Sequence, residues 1–319
     1  MPELQQVMAL LSQWGGRLGP VAQVEPIDVA GRLFLAIADG QQYILKRLDP
    51  AIPRERTEVA YQLTAYLAAN GVPVALPLLT DAGALTAELQ GAQYLLMPSL
   101  PSDGPEDRAR ADTATQYRNV GAAIGRLHRA LRSCPVAVPS WTMDIPATIR
   151  RDILPALEAA PLDSLRPFLP AANPRLYQTL HAAFDGLPAQ RIHGDCHGGN
   201  IVIHRGEVSG FIDLDHLQIG PPIYDLGHYL ADEVKNQLAD PPELWLRHFH
   251  LVVEGYRAES SLGAAEIAAL WPSMIFSQLL FVIWFLRHHN PEATERNIAV
   301  LAWIYERERE IRGGLAALG

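Results

Sequence analysis

Alternating hydrophobic and polar positions in the first hundred residues predict a small β-sheet. Runs rich in β-branched, aromatic and leucine residues are separated by the turn signals Ala30-Gly31 and Asp39-Gly40. The Asp-Gly pair between two such runs indicates a hairpin. The predicted strands cover residues 21–29, 32–38, 42–48, 71–79 and 92–100.

A helical period interrupts this strand pattern at residues 53–71. Apolar residues there recur every three or four positions, Pro53 suits a first turn, and Asn70-Gly71 is a typical helix end. A segment rich in Ser, Pro, Gly and Asp, residues 99–107, then predicts a linker. Beyond it the periodicity is mainly helical, in residues 121–131, most of 145–190 and 240–318.

These patterns predict an α+β protein with two parts. We expect an N-terminal sheet-containing part over residues 1–97, a hinge over 98–104, and a larger, mostly helical part over 105–319. Residues 191–222 return to strand patterning within the helical part. A cleft between two such parts is a common place for a ligand.

The strand-like segment 200–213 contains polar residues suited to a metal site. A two-residue turn at Gly206-Glu207 would pair Asn200 with Asp213, and directly opposed residues hold their Cβ atoms about 4.5–5.5 Å apart. Moving the turn by one residue breaks this pairing. An amide oxygen and a carboxylate are ligands that Mg²⁺ accepts, with phosphate and water completing the shell.

Composition narrows the functional classes. The chain has 319 residues, is 49% hydrophobic and 19% charged, and carries a formal net charge of −9, which argues against binding to a nucleic-acid backbone. Two cysteines, Cys134 and Cys196, make no disulfide framework, so we expect a cytoplasmic protein. The longest apolar run, residues 274–286, is too short for a membrane span and predicts a buried helix.

Lysine is rare in this chain. Among 26 basic residues only Lys46 and Lys235 are lysines. Lysine provides a compact point charge, whereas arginine provides a planar fork. Lys46 lies in the predicted strand 42–48, where such a charge can reach a phosphate group.

The string HGDCHGGN at residues 193–200 allows three kinds of chemistry. It can hold a metal, as in GD-x-H-G metallophosphatases, although the further D-x-H and G-N-H blocks of those enzymes are missing. It can make a nucleophile of Cys196 beside His193 or His197. It can also place Asp195 and Asn200 around a phosphoryl group, which fits Lys46 and Asp213 best.

HGDCHGGN followed by FIDLD and YDLG resembles the aminoglycoside phosphotransferase and choline kinase-like family. The resemblance covers most of the chain and implies the bilobal protein-kinase-like fold. It implies that Asp195 is the catalytic base and that Asn200 and Asp213 bind Mg²⁺. Asp215, two residues further on, is a possible second metal ligand or substrate contact.

The resemblance also implies how ATP binds. Lys46 contacts the α- and β-phosphates, with Glu58, in preference to Glu55, as its partner on the helix. His193 and Asp225 brace the catalytic loop. No G-x-G-x-x-G motif is present, so the loop that covers the phosphates is assigned to Ile27–Arg32. The adenine pocket is expected at the hinge strand formed by Met97, Pro98, Ser99 and Leu100.

These assignments predict an ATP-dependent phosphotransferase that acts on a hydroxyl of a small molecule such as an aminoglycoside, an amino alcohol, homoserine or a sugar. A protein Ser/Thr kinase is the alternative, because the same strings are similar to a group of bacterial stress-response kinases. A catalytically inactive relative would have lost Lys46, Asp195 or Asp213.

No nucleic-acid or membrane partner is expected. Residues that can line the acceptor site are His228, Asp232, Glu233 and Trp284.

Overall fold

The computed structural model describes residues 3–28, 30–104, 113–138, 141–160 and 162–316. The chain divides into two compact units. The first comprises Met1–Ser102 with Pro135–Ala137 and Ser209–Asp215, and the second comprises Asp103–Cys134, Val138–Val208 and His216–Gly319. The predicted parts are continuous ranges of sequence, whereas the first unit also includes the distant segment Ser209–Asp215. The predicted linker 99–107 runs past residue 104, and its last three residues lie outside the described part.

The first unit contains a five-stranded antiparallel sheet. Its strands are β1 (Val21–Pro26), β2 (Leu33–Ala38), β3 (Gln41–Arg47), β4 (Ala87–Leu89) and β5 (Ala92–Pro98). They are ordered β1-β2-β3-β5-β4. Asp39 and Gly40, with φ of 48° and 72°, form the predicted tight turn between β2 and β3. Phe34, Ala36 and Ala38 alternate into the core, as a period of two requires.

The described part of the first unit also contains two helices of eight or more residues, one before β1 and one between β3 and β4. Arg54–Ala69 confirms the helix predicted at residues 53–71, with Pro53 at its N-cap. Leu4–Leu11 was not predicted. Its buried side chains share one hydrophobic cluster with side chains of the sheet, and the cluster includes Val7, Leu10, Leu11, Trp14, Phe34 and Leu45.

The strand predicted at residues 71–79 is absent. This segment makes only single bridges, Val74 with Phe211 and Leu78 with Leu96. The prolines at 73 and 77 explain the error, because each lacks the N–H that a continuous ladder needs. The bridge to Phe211 belongs to a short exchange of backbone hydrogen bonds, in which Phe211 N donates to Pro73 O at 3.0 Å. This exchange ties the segment Ser209–Asp215 to the first unit.

The second unit is mainly helical, as predicted. Its longer helices are Thr113–Arg132, Pro174–Ala183, Ile223–Gln237, Pro242–Glu259, Ala264–Arg287, Pro291–Glu306 and Glu308–Ala316. Shorter helical segments occupy Ile145–Thr148, Ile149–Ile153, Leu154–Ala159 and Asp163–Phe168.

The apolar run 274–286 lies in the helix Ala264–Arg287, which has 24 residues. Of the described helices it alone is long and apolar enough to cross a membrane, and 72% of its most apolar stretch is buried inside the protein. This burial agrees with the predicted core helix.

The segment 190–220 contains short strands. Strand β6 (Gln190–Ile192) pairs with β9 (Gln218–Gly220), and β7 (Ile201–His204) pairs with β8 (Glu207–Phe211). The turn between β7 and β8 is at Arg205-Gly206, with φ of 54° and 77°, one residue earlier than predicted.

This turn position corrects the predicted pairing of Asn200 with Asp213. Asn200 closes a short 3₁₀ turn, Gly198–Asn200, before β7 begins. Asp213 follows the end of β8 and adopts a left-handed φ of 62°. Neither residue is part of the ladder, so the argument from directly opposed positions was wrong.

Candidate active site

Lys46 is the centre of a charged cluster in the first unit. It lies in the middle of the sheet, paired with Leu33 of β2 on one side and with Leu95 of β5 on the other. Its ammonium contacts the carboxylate of Asp213 and lies 2.7 Å from Oδ2 of Asp215. Burial lowers the pKa of Lys46, but the charges of Asp215 and Asp213 outweigh it and the net shift is upward. The ammonium is therefore retained.

Asp215 is held from two directions. Besides Lys46, the guanidinium of Arg56 on the helix Arg54–Ala69 donates from Nε to the backbone oxygen of Asp215 at 2.7 Å. The side chain of Asp215 is 15% exposed, whereas that of Asp213 is 40% exposed. The sequence identified Asp215 only as a possible ligand and missed Arg56 altogether.

The predicted ion pair between Lys46 and Glu58 is absent from the described residues. Glu58 instead accepts a hydrogen bond from Arg54 at 2.9 Å, one helical turn earlier, and Glu55 is exposed. Glu58 lines a pocket of about 310 Å³ with residues after β3 and residues of the β4–β5 hairpin. The partners of Lys46 are the two aspartates.

The hinge strand predicted at residues 97–100 continues β5. Met97 and Pro98 pair with β3, and the backbone N–H of Ser99 donates to Gln42 at 2.9 Å. Leu100 packs closely on Gly210, where a Cβ atom would lie 2.6 Å from Cδ1 of Leu100. The same Cβ atom would lie 3.0 Å from the backbone oxygen of Pro73, so a side chain at position 210 would require its neighbours to shift.

The phosphate-covering loop assigned to Ile27–Arg32 includes Val29, which lies outside the described residues. Asp28 accepts hydrogen bonds from the backbone N–H groups of Arg32 and Leu33 at 2.7 and 2.8 Å. The loop is therefore organised by an aspartate. Its role toward phosphates stays a prediction.

The catalytic loop, residues 193–200, lies in the second unit and is anchored by Asp225. This fully buried carboxylate accepts hydrogen bonds from the backbone N–H groups of His193 at 2.7 Å and Gly194 at 2.9 Å. His128 Nε2 lies 3.0 Å from the same carboxylate, and its Nδ1 lies 2.8 Å from the hydroxyl of Tyr256. Burial raises the pKa of Asp225, but the contact with His128 and the other donors outweigh it, so the net shift is downward.

The structure therefore brings His193 and Asp225 together as expected of residues that brace the loop. His128 is a buried histidine with two partners. That one partner is Asp225 was not foreseen, because 97 residues separate them in sequence.

Asp195 and Asn200 meet inside the loop. The Nδ2 group of Asn200 donates to the backbone oxygen of Asp195 at 2.8 Å and to its carboxylate Oδ2 at 3.1 Å. His197 Nε2 lies 3.7 Å from the same carboxylate oxygen. Asp195 thus has a fixed orientation, and the amide oxygen of Asn200 is the atom left to meet a cation.

Thiol chemistry at Cys196 is not supported. Cys196 is fully buried, and burial raises its pKa well above the ordinary value. A protonated thiol in such a place behaves as a small hydrophobic side chain.

The part of the chain that the structure describes contains no group of three His, Cys, Asp or Glu side chains placed to hold a metal. Asp213 and Asp215 in the first unit and Asn200 in the second each offer side-chain oxygens, the kind of donor that suits a hard cation.

Comparisons with known proteins give a consistent result. The sequence pattern of the phosphotransferase enzyme family matches residues 26–261. The serine/threonine protein kinase RdoA of Salmonella typhimurium is 27% identical over 263 residues, covering 81% of this chain and 75% of the relative. Stress response kinase A of Escherichia coli strain K12 is 25% identical over 238 residues, covering 74% of this chain and 68% of the relative.

Solved structures share the fold. A microcompartment-associated aminopropanol kinase aligns with a TM-score of 0.73 at 18% identity, covering 98% of this chain and 99% of that one. Amicoumacin kinase hAmiN, in complex with AMP-PNP, Ca²⁺ and Ami, aligns with a TM-score of 0.70 at 19% identity, covering 98% and 94%. These results confirm the α+β, kinase-like fold and the family that the motifs HGDCHGGN and FIDLD resembled. Because the family pattern spans well over half of the sequence, this chain belongs to the phosphotransferase enzyme family.

Proposed function

We propose that this protein transfers the γ-phosphoryl group of ATP to a hydroxyl of a small molecule. The cluster at Lys46 is the main support, because two carboxylates share one ammonium there. Phosphoryl transfer depends mostly on positioning and on neutralising charge, and a lysine beside acidic metal ligands contributes to both. The catalytic loop adds a carboxylate whose orientation is fixed by Asn200.

Each residue then has a role. Asp195 accepts the proton of the attacking hydroxyl, and Lys46 binds the α- and β-phosphates. Met97 to Leu100 line the adenine pocket. His193 and Asp225 maintain the loop that carries the base.

Mg²⁺ is the metal that fits the donor set, and we propose Asn200 and Asp213 as its ligands. Bound Mg²⁺ would neutralise charge on the phosphate oxygens. Without nucleotide, the ammonium of Lys46 supplies the positive charge beside Asp213 and Asp215. We expect Lys46 to exchange Asp213 for phosphate oxygens when nucleotide binds, while Arg56 retains Asp215.

The names of structurally similar proteins suggest small alcohols as the class of acceptor. One of them is described as an aminopropanol kinase and another as an amicoumacin kinase. An amino alcohol, an aminoglycoside, homoserine or a sugar would each present a hydroxyl to Asp195. The formal net charge of −9 is compatible with a cationic acceptor.

A second function has independent support. The relatives whose sequences align with 81% and 74% of this chain are described as a serine/threonine protein kinase and a stress response kinase. A protein serine or threonine is chemically the same kind of acceptor as a small alcohol. The two functions differ in what surrounds the hydroxyl and are separable by experiment.

The test is ADP release and thermal shift with Mg-ATP in the presence of amino alcohols, sugars, aminoglycosides and a generic protein substrate. We expect one class of small alcohol to accelerate ADP release. Incorporation of phosphate into protein, with no metabolite active, would establish the second function instead. Failure to bind Mg-ATP would refute both.

The catalytic base has its own control. Asp195→Ala should lower kcat by about 10²- to 10⁴-fold, the usual contribution of a general base, while Mg-ATP still raises the melting temperature. Turnover at the wild-type rate would show that another group accepts the proton. We place the reaction in the cytoplasm, where ATP is available and Cys134 and Cys196 stay reduced.

A further inference from the structure

Lys235, the second of the two lysines, makes an ion pair on the helix Ile223–Gln237. Its ammonium contacts Oδ1 of Asp232, which lies one turn earlier. The other oxygen, Oδ2, accepts the backbone N–H of Gly198 at 3.1 Å. Each oxygen of this largely buried carboxylate therefore has its own partner, a cation on one side and the catalytic loop on the other.

The same helix anchors the catalytic loop at two points. Asp225 holds the beginning of the loop through His193 and Gly194, and Asp232 holds its middle through Gly198. Seven residues separate the two aspartates, which is about two helical turns, so both side chains lie on one face of the helix. The loop is pinned to that face at both positions.

Gly198 fits closely against this helix. A Cβ atom on Gly198 would lie 3.0 Å from Oε1 of Glu233 and 3.4 Å from Oδ2 of Asp232. Glu233 is itself held by the hydroxyl of Tyr117 at 2.9 Å. The backbone in the middle of the loop therefore has little freedom while both carboxylates keep their positions.

We propose that Asp232, oriented by Lys235, is a positioning residue that fixes Gly198 and thereby the relative placement of Asp195 and Asn200. Gly198 lies between those two residues in sequence, and Asn200 is bonded to both the backbone and the carboxylate of Asp195. A shift of Gly198 displaces this bonded pair. The inference rests on the proposed function, because the pair matters only if Asp195 and Asn200 carry out phosphoryl transfer.

Because the two oxygens of Asp232 have different partners, variants can remove the two contacts together or one at a time. Asp232→Ala removes both contacts. Asp232→Asn leaves a single side-chain oxygen for two donors, the ammonium of Lys235 and the backbone N–H of Gly198. One of these two contacts must therefore be lost. Adding Lys235→Met to Asp232→Asn removes the competing donor and lets the amide oxygen accept the N–H of Gly198. Arg166→Met is the matched control, because Arg166 forms an exposed ion pair with Asp163 at the same spacing.

Hydrogen exchange of the Gly198 amide, measured by NMR, tests the anchoring without any acceptor. We expect exchange at least tenfold faster in Asp232→Ala, with smaller increases in Lys235→Met and Asp232→Asn. The double variant should approach the wild-type rate, and Arg166→Met should match it. An unchanged rate in Asp232→Ala would overturn the proposal, whatever the enzyme phosphorylates.

Steady-state kinetics with Mg-ATP and the acceptor found in the screen tests the consequence. We expect kcat to fall about 10- to 100-fold in Asp232→Ala, as for other residues that orient a metal ligand, with the KM for ATP little changed. The double variant should regain most of this loss, which a merely stabilising ion pair would not allow. Faster exchange with unchanged kcat would overturn the positioning role and leave the proposed function intact. A wild type that transfers no phosphate would overturn the proposed function and this inference with it.

Discussion

Lys46 and its two aspartates form a cluster in which each group depends on the others. Asp213 and Asp215 are two positions apart, and their carboxylates would repel each other without the ammonium between them. Arginine is the usual cation of this chain, but its planar fork binds one carboxylate in a bidentate manner. A compact ammonium can serve two carboxylates and still turn to a phosphate.

We therefore expect Lys46→Met to lower kcat/KM for ATP by about 10²- to 10³-fold, the scale of losing one electrostatic contact to the transition state. Lys46→Arg should restore little of this loss, because the guanidinium cannot repeat the geometry of the ammonium. Steady-state kinetics with varied Mg-ATP measures both variants.

Arg47→Met is the control for this substitution. Arg47 is the next residue of β3, so its side chain points to the other face of the sheet, and it is exposed. Its loss should change kcat/KM for ATP less than threefold. Equal losses at positions 46 and 47 would contradict the role given to Lys46.

At the scale of elements, the helices Thr113–Arg132 and Pro242–Glu259 of the second unit approach each other closely at two glycines. A Cβ atom on Gly121 would lie 1.9 Å from the backbone oxygen of Val252, and one on Gly255 would lie 2.0 Å from that of Arg118. Both distances are far inside van der Waals contact. The two helix backbones touch where each lacks a side chain, and this contact supports His128 and Tyr256 beside Asp225.

Gly121→Ala and Gly255→Ala should each destabilise the protein by about 1–3 kcal/mol or more, the cost of overpacking a filled interior. Gly313→Ala is the matched control, since it also lies in a helix but a Cβ atom there meets nothing within 4 Å. It should be neutral or stabilising by up to about 1 kcal/mol because alanine favours helix. Urea denaturation measures all three, and equal effects would contradict the close approach.

At the scale of the whole molecule, we expect the free energy of unfolding to depend on pH through Glu233. Glu233 is half-buried and its carboxyl accepts a hydrogen bond from Tyr117, and desolvation raises its pKa from 4.5 to about 7. The folded protein therefore binds a proton that the unfolded chain releases at lower pH. The stability associated with this proton is fully present below pH 4.5 and is lost as pH rises through 7.

Glu233→Gln should remove that dependence, because glutamine keeps an acceptor for Tyr117 and carries no charge. Between pH 5 and 8 the free energy of unfolding of the wild type should fall by about 2–3 kcal/mol relative to Glu233→Gln, as the pKa displacement requires. Urea denaturation at a series of pH values measures the difference. Glu254→Gln, at an exposed surface ion pair, should leave the wild-type profile unchanged, and parallel profiles for all three proteins would contradict the prediction.

Local chemistry is what the sequence determined by itself. The β2–β3 hairpin follows from Asp39-Gly40, and the position of Lys46 on a strand follows from the residues around it. The spacing of Asp195 and Asn200 within one loop identified the family. Signals of this kind depend on residues only a few positions apart, so they can be recognised in the amino-acid sequence alone. Where prolines broke a strand pattern or a turn moved by one residue, the local signal was too weak to decide.

Only the tertiary structure decided which distant groups meet. Glu58 was expected at Lys46, but the rotation of its helix is set by the buried Val59 and Leu63, and Asp213 and Asp215 take its place. The pairing of His128 with Asp225 and the hold of Asp232 on Gly198 join residues 97 and 34 positions apart. Such contacts depend on how whole elements pack, and packing is a property of the folded interior that no short stretch of sequence contains.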